Sequence, residues 1–373
     1  MLSTSYECDR EYQNVHLLYI TKTIMVHLII DDNVLDVTSM MDWHPGGKYC
    51  LESNHGKDVT DIFHAIHLNT SYRKYIIGKK HPMPIKPHVK EFRDMNEWMK
   101  KNGWYKPNFK SYSKYSIICV TLWSLAIFAT LYDYVWCGAI LMGFFWQTSA
   151  GIGHDLGHSS IFRTRWMNHI VGSCLIAVTG LSSLWWRHSH FHHHIHTNIL
   201  TEDPDIIHLP VFAITEKLFN KRFHNFLKTN TDLNYIGKLF VNVQYITLYP
   251  ILMFARFNLY AQSILHIVKT FDVKSYFYWI ESIGFVSFIV WYSCLVRNMS
   301  IWNMLKFVLM SHFSSGILHV QIVISHWMSQ TYERKTYEDH YLHTLNTTMD
   351  VDCHPSIDWV HLGLQFQVAH HMF

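Results

Sequence analysis

From residue 115 to residue 152 the chain carries one charged side chain, Asp133. A run this long, divided once, fits two membrane-crossing helices of roughly 20 residues each. In hydrocarbon a helix is the one single-segment structure that satisfies its own backbone polar groups. A second apolar pair, residues 276–296 and 307–324, is joined through Arg297 and Asn298, with Glu281 interrupting the first member near its start. Residues 166–186 are also apolar and flanked by Arg163, Arg165 and Arg187; they fit either a fifth span or a helix sunk in one leaflet. Charged residues make up only 16% of the chain and apolar residues 49%, against about 25% charged in soluble domains.

Charge bias orients these spans. Eleven Lys and Arg lie between residues 153 and 274, whereas the short connections on the other side hold Arg297, with Lys306 at a span end. The positive-inside rule puts the crowded side in the cytosol. Four spans then place the N-terminal region, residues 153–274 and the tail after Ser325 together; a fifth at Trp166 would part the histidine groups described next. The net charge of +3 fits an anionic membrane surface and gives no argument for nucleic acid. The seven cysteines, Cys8, Cys50, Cys119, Cys137, Cys174, Cys294 and Cys353, form no C-x-x-C pair, so free thiols facing a reducing cytosol are expected. The first 20 residues lack an apolar core, and no cleaved signal peptide is read there. Residues 81–87, with Pro82, Pro84 and Pro87, read as a stiff linker. Residues 89–104 place Phe92, Met95 and Met99 at helical spacing, which fits a helix on the bilayer surface or an ordinary soluble one.

Histidine is the outlier in composition, with 29 residues against 31 Lys plus Arg. Three compact groups stand beside apolar spans. HDLGH holds His154 and His158 at i, i+4, stacked on one helix face. WWRHSHFHHHIHTN holds His190, His193 and His194 at i, i+3, i+4. QFQVAHH repeats that spacing with Gln367, His370 and His371. So many imidazoles without a nearby thiolate exceed the needs of one zinc. Two irons would use them, and iron, unlike zinc, brings the redox chemistry with oxygen that an unactivated C–H bond requires. A further ligand is expected from the fourth span, where His312, His319 and His326 recur every seven residues and share a face. His326 lies at the height of the other groups and is the first choice. His319 is about 10 Å deeper and is the second, and His312 is read as packing. His188, His192 and His196 are expected to support the ligands or face solvent, and Asp155 to orient an imidazole.

Nearer the N-terminus, VLDVTSMMDWHPGG sets His44 before a Pro-Gly-Gly turn, and KDVTDIFHAIH follows with His67 as the expected second axial ligand of a haem; His64 and His55 compete less well. The HPGG run with these flanks resembles cytochrome b5, whose two histidines fill both axial positions, so the haem passes electrons and binds no oxygen.

The histidine groups in this order, with a fused cytochrome b5 domain, resemble front-end desaturases. The segments DPDIIHLPVFA and TTMDVDC look most like delta-8 sphingolipid desaturases of the fungal type. The resemblance runs from about Val26 to the C-terminus. It implies an α-helical membrane protein with four transmembrane helices and a cytosolic histidine-rich di-iron cap, residues 89–373. Ahead of it would stand a small α+β haem domain and linker, residues 1–88. It assigns His44 and His67 to haem b, and His154, His158, His190, His193, His194, His326, His370 and His371 to two non-haem irons. His319, Gln367 and Asp155 are possible additions. The implied reaction is removal of two hydrogens across C8–C9 of the long-chain base of ceramide, using O2 and electrons from NADH through cytochrome b5 reductase, at the endoplasmic reticulum. The competing readings are a front-end fatty acyl desaturase, a cytochrome b5-fused lipid hydroxylase and an inactive membrane haem electron donor. Three departures stand out: Phe191 where many relatives have Asn, Met372 for the usual Leu, and a chain ending at Phe373 where relatives continue with a proline and a basic tail. The last gives the expectation of a truncated chain whose terminal histidine box frays.

Overall fold

The computed structural model describes residues 25–44, 47–67, 71–81, 84–219, 233–270, 272–333 and 339–373. Two compact units divide the chain, Met1–Pro84 and Ile85–Phe373.

The first unit is built on three antiparallel strands, β1 (His27–Ile30), β2 (Asn33–Asp36) and β3 (Ile76–Lys79), in the order β1-β2-β3. Asp31 and Asp32 join β1 to β2 with φ of 49° and 60°. Short polar side chains tolerate this left-handed geometry, and two such residues give a turn whose twist matches the strands it connects. Val26, Leu28 and Ile30 alternate inward and meet Leu35, Val37, Leu51 and Val59 in one apolar core, the period-two pattern of a half-buried strand. Helices α1 (Gly47–Glu52) and α2 (Thr60–Ile66) follow. Asp58 accepts from Thr60 N at 3.0 Å and so opens α2.

The second unit begins with α3 (Pro87–Lys101). Pro87, expected in the linker, is its first residue, where a missing N–H costs nothing. Part of the apolar face of α3 turns into the protein: Phe92 is buried against Tyr341 and Phe373, with ring centroids 5.2 and 5.7 Å away. Met95 and Trp98 stay exposed.

Among the described residues, four helical segments are long and apolar enough to cross a membrane: α4 (Phe109–Leu131), α5 (Val135–Gly157), α11 (Tyr276–Val296) and Ile301–Trp327. The last is two helices, α12 (Ile301–Ser314) and α13 (Ile317–Trp327). Asp133 sits in the α4–α5 turn with φ 62°, so the one charge of the first apolar run occupies the turn. Large apolar side chains on α4 and α11, such as Ile117, Val120, Ile283 and Val286, are exposed. Such a surface belongs in lipid. The apolar run at 166–186 is no span. It folds as α6 (Arg165–Ala177), which at 13 residues is too short to cross, and then as the start of α7 (Ser183–His196).

After α8 (Leu233–Asn242), α9 (Gln244–Leu252) and α10 (Arg256–Thr270) bend by 66° at a short break. Gln244 exchanges hydrogen bonds with the Ala213 backbone at one end of this elbow, and Thr270 accepts from Tyr278, in the first turn of α11, at the other. Ala213 belongs to the cluster with Leu200, Ile206 and Trp327, beside the histidines, and the first turns of α11 touch the histidine helix α7 through Glu281. Both ends therefore lie on the histidine side, so the elbow enters and leaves on one side and the span count stays four. Its apex presses on the α12–α13 break. A Cβ at Gly316 would collide with the Met253 backbone, so only glycine fits there. Three short helices close the chain: α14 (His340–Thr347), α15 (Asp358–His361) and α16 (Gln367–Met372). The six described cysteines are free thiols; Cys8 lies outside the described residues.

Candidate metal and haem sites

In the first unit the rings of His44 and His67 stand 5.9 Å apart, centroid to centroid. Two imidazoles binding one metal from opposite sides, each at roughly 2 Å, place their centroids at about this separation. His67 stacks on Phe63 at 4.5 Å and its Nδ1–H donates to the Phe63 carbonyl at 3.2 Å, which makes Nε2 its basic nitrogen. The competitors are engaged elsewhere. His64 binds the Asp31 carboxylate at 3.0 Å, and His55 Nδ1 accepts from His27 N. Pro45 and Gly46 of the turn lie outside the described residues.

The second site starts at the end of α5. His154 donates from Nδ1 to Asp155 Oδ1 at 2.9 Å, and Tyr112 donates to the other oxygen of that carboxylate at 2.9 Å. His158 caps the helix one turn later. Gly157 has no side chain to block Trp186, which enters and stacks on His190 at 4.4 Å.

Helix α7 carries the second group. Ser182 caps it by accepting from Trp185 N at 3.0 Å. Glu281 of α11, fully buried, accepts from Leu184 N at 2.8 Å and from the hydroxyls of Ser173 and Ser182. The charge that seemed to interrupt a span thus fixes the first turn of the histidine helix, where a carboxylate also favours the helix dipole. At the other end of α7, Asn198 takes the left-handed conformation, φ 57°. Its side-chain NH2 donates to the carbonyls of His326, Gln330 and Thr347 at 2.8–3.3 Å.

These elements gather eight histidines. His154, His158, His190 and His370 bring one nitrogen each within 4.8 Å of one another, as do His193, His326 and His371, and His194 joins His370 and His371 in a third group. All eight residues expected from sequence take part. Asp155 orients His154 as expected. His196 pairs with Glu202 at 2.7 Å, and His188 and His192 pack ring to ring away from the groups. His312 stacks on Phe257 at 4.2 Å. His319 lies outside the three groups, and the Gln367 amide donates to the Leu364 carbonyl at 2.7 Å.

The tautomers decide what the groups can hold. His193 Nδ1 donates to Asp203 at 2.9 Å, and His326 Nδ1 donates to the Thr347 carbonyl at 3.2 Å. Both rings therefore aim the lone pair of Nε2 at the same point, with the two nitrogens 3.3 Å apart. Two lone pairs this close repel unless a cation stands between them. Burial disfavours a proton on His193, but Asp203 and Asp205 outweigh it and hold this imidazole at about 9. That site is built for positive charge, and a metal ion can take the proton's place. Around it, burial first and then neighbouring charges hold His158, His190, His194, His370 and His371 well below the ordinary histidine range. Neutral imidazoles are the form that ligates metal. His158 Nε2 and His371 Nε2 are buried without a hydrogen-bond partner. The residues fit two nitrogen-ligated metal ions.

Sequence reasoning passed over Asp203 as a site residue. Its carboxylate is fully buried and accepts from His193, from Asn198 N at 2.7 Å and from Asp205 N at 2.8 Å. The signal was the acidic pair of DPD closely following the second histidine group, a partner for a ligand's far nitrogen.

Comparison with known proteins gives the site its context. The fatty acid desaturase family matches residues 133–373, and the cytochrome b5-like heme/steroid binding domain matches residues 20–87. The acyl-lipid (9-3)-desaturase of Borago officinalis is 30% identical over 92% of this chain and 79% of its own length. The delta(8)-fatty-acid desaturase of Helianthus annuus is 32% identical over 91% and 76%. The delta 8-(E)-sphingolipid desaturase of Komagataella phaffii is 32% identical over 76% of this chain and 54% of its own length. The cytochrome b5-like domain implies haem and the desaturase domain implies iron. With four apolar spans beneath gathered histidines, this chain belongs to the fatty acid desaturase family and is a membrane oxidoreductase that carries a cytochrome b5-like domain at its N-terminal end.

Proposed function

We propose that the chain is a delta-8 sphingolipid desaturase. It takes two hydrogens from C8 and C9 of the long-chain base of ceramide, so that O2, two electrons and two protons leave as two waters. The observation that carries the di-iron reading is the pair of facing lone pairs on His193 and His326, each set by an acceptor on the far side of its ring. In this reading His154, His158, His190 and His370 hold one iron, His193, His326 and His371 the other, and His194 lies between them. The irons, when bound, supply the oxidant that an unactivated C–H bond requires. Asp155, Asp203 and the Thr347 carbonyl keep the ligand nitrogens basic and aimed. His44 and His67 hold the haem, which receives electrons from NADH through cytochrome b5 reductase. Tethering that donor replaces a diffusive encounter with a high effective concentration. The histidine side faces the cytosol at the endoplasmic reticulum, as the Lys and Arg bias supports.

Expression in yeast lacking this activity tests the reading. Delta-8 unsaturated long-chain bases are expected in hydrolysed ceramides, and their absence beside new double bonds in fatty acyl chains would refute it. That outcome is the second reading, a front-end acyl desaturase, which the wider coverage of the two plant relatives favours.

A further inference from the structure

Beneath the histidines, inside the membrane, lies a level of polar groups that the metal site does not use. Helices α5 and α12 run side by side. Gly143 packs on Ser311, Ser314 and Ser315, which fixes their register. At their upper ends His154 on α5 and His326 on α13 enter two histidine groups, one with His370 and the other with His371, which a third group of His194, His370 and His371 links. Seven residues below each stand Gln147 and His319. A seven-residue step returns to nearly the same helix face about 10 Å deeper, so Gln147 and His319 lie on the faces that carry His154 and His326.

Each of them carries a buried atom without a partner. Gln147 is 2% exposed and its NH2 is taken by the Val360 carbonyl, which leaves Oε1 as a buried acceptor with nothing to accept from. His319 Nδ1 is likewise buried and unpartnered. A cation completes the level. Arg256, at the elbow, is 2% exposed and lies over the Trp146 ring, 4.5 Å from its centroid and next in sequence to Gln147. Its donors reach Tyr260 Oη and the Thr179 carbonyl, and no carboxylate pairs with it among the described residues. A buried guanidinium has five donors, and an unmet buried acceptor carries a free-energy penalty until something donates to it. Inside a bilayer such groups mark a ligand path.

We propose that Gln147, His319 and Arg256 form the subsite for the hydrogen-bonding head of the long-chain base. This inference rests on the sphingolipid reading and deepens it. The hydroxyl on C3 and the amide N–H on C2 donate to Gln147 Oε1, and the amide carbonyl accepts from Arg256. C2 and C3 lie five or six bonds from C8, roughly 6–8 Å in an extended chain. That span matches the drop from the histidines to this level once side-chain reach is allowed for. The chemistry also selects. A glycerolipid ester offers a carbonyl to Arg256 but has no O–H or N–H near it for Gln147, so the acceptor stays unmet. A site built to hydrogen-bond a substrate group discriminates strongly against the analogue that lacks it.

The test pairs a variant with a substrate analogue. Full-length wild type and Gln147→Leu are assayed in microsomes with dihydroceramide and with its 3-deoxy analogue, while haem and non-haem iron per chain are measured. Wild type is expected to favour dihydroceramide by roughly tenfold or more. Gln147→Leu is expected to fall to the rate seen with the analogue and to lose the preference, with both iron counts unchanged. Gln147→Leu that keeps the preference, or loses non-haem iron, overturns the inference. If that variant fails to accumulate, the wild type decides: equal rates with dihydroceramide and its 3-deoxy analogue overturn the inference. Wild type that leaves ceramide unchanged but desaturates acyl chains would sink the sphingolipid reading itself, and this subsite with it.

Discussion

Asp203→Asn separates the role of the carboxylate from its shape. In the wild type one oxygen accepts from His193 Nδ1 and Asp205 N, the other from His193 Nδ1 and Asn198 N. An asparagine side chain offers one acceptor and one NH2. Whichever way it turns, the NH2 faces a backbone N–H, at position 198 or 205, and that donor loses its partner in a fully buried site. An unmet buried donor costs about 1–3 kcal/mol. His193 also loses the charge that keeps Nδ1 protonated and Nε2 aimed at the metal. Removing the acceptor behind a ligating imidazole weakens metal binding roughly 10–100-fold, or about 1.4–2.8 kcal/mol at 1.4 kcal/mol per decade. The variant should therefore fold, keep its haem and bind non-haem iron one to two decades more weakly. The assay is anaerobic titration of the iron-stripped protein with Fe(II), with the haem absorbance as internal standard. Wild-type iron affinity in the variant, or loss of haem in step with non-haem iron, would refute the reasoning.

Three further outcomes are expected. Glu281→Ala strips the acceptor from Leu184 N, Ser173 and Ser182 and should lower stability by about 1–3 kcal/mol for each donor left unmet, read as a fall in Tm. Glu281→Gln, which keeps an acceptor there, should recover most of it, and equal Tm values for the two would count against the anchoring role. Gly316→Ala drives a methyl into the Met253 backbone, an overpacking of about 1–3 kcal/mol, and should leave less folded protein in detergent by gel filtration; an unchanged yield would show that the elbow moves freely. His44→Ala should abolish the haem absorbance while non-haem iron per chain holds at the wild-type value, and parallel loss of both would argue against separate sites.

The spans and the grouped histidines were legible because periodicity and spacing are local properties. Two histidines at i, i+4 must share a helix face wherever the helix goes, and a charge-poor run must be buried or in lipid. What the sequence hid depends on contacts between distant segments. Glu281 read as a blemish in a span, since its partners lie on residues 173–184, roughly a hundred positions away. The re-entrant elbow at 244–270 was passed over because neither arm is long enough to register as a span, and its position depends on Gly316 far downstream. The apolar run at 166–186 misled for the opposite reason. Hydropathy counts residues and is blind to the turn that splits α6 from α7.

A desaturase of this design must expose eight basic nitrogens to metal while every neighbouring polar group is kept from competing for them. Here that is achieved from behind the rings. Asp155, Asp203 and the Thr347 carbonyl each take the proton on the far nitrogen, and the acceptors are themselves saturated, by Tyr112 in one case and by two backbone N–H groups in another. Asn198 closes the arrangement. One side chain in a left-handed turn ties the end of the second histidine helix to the fourth span and to the last residue of α14. The eight histidines come from four separate segments, and two of the three aiming acceptors, Asp203 and the Thr347 carbonyl, meet in or at residues 198–203. A lesion in that short stretch should therefore disturb the metal centre more than loss of any one outlying histidine such as His188 or His192, whose rings lie outside the three groups.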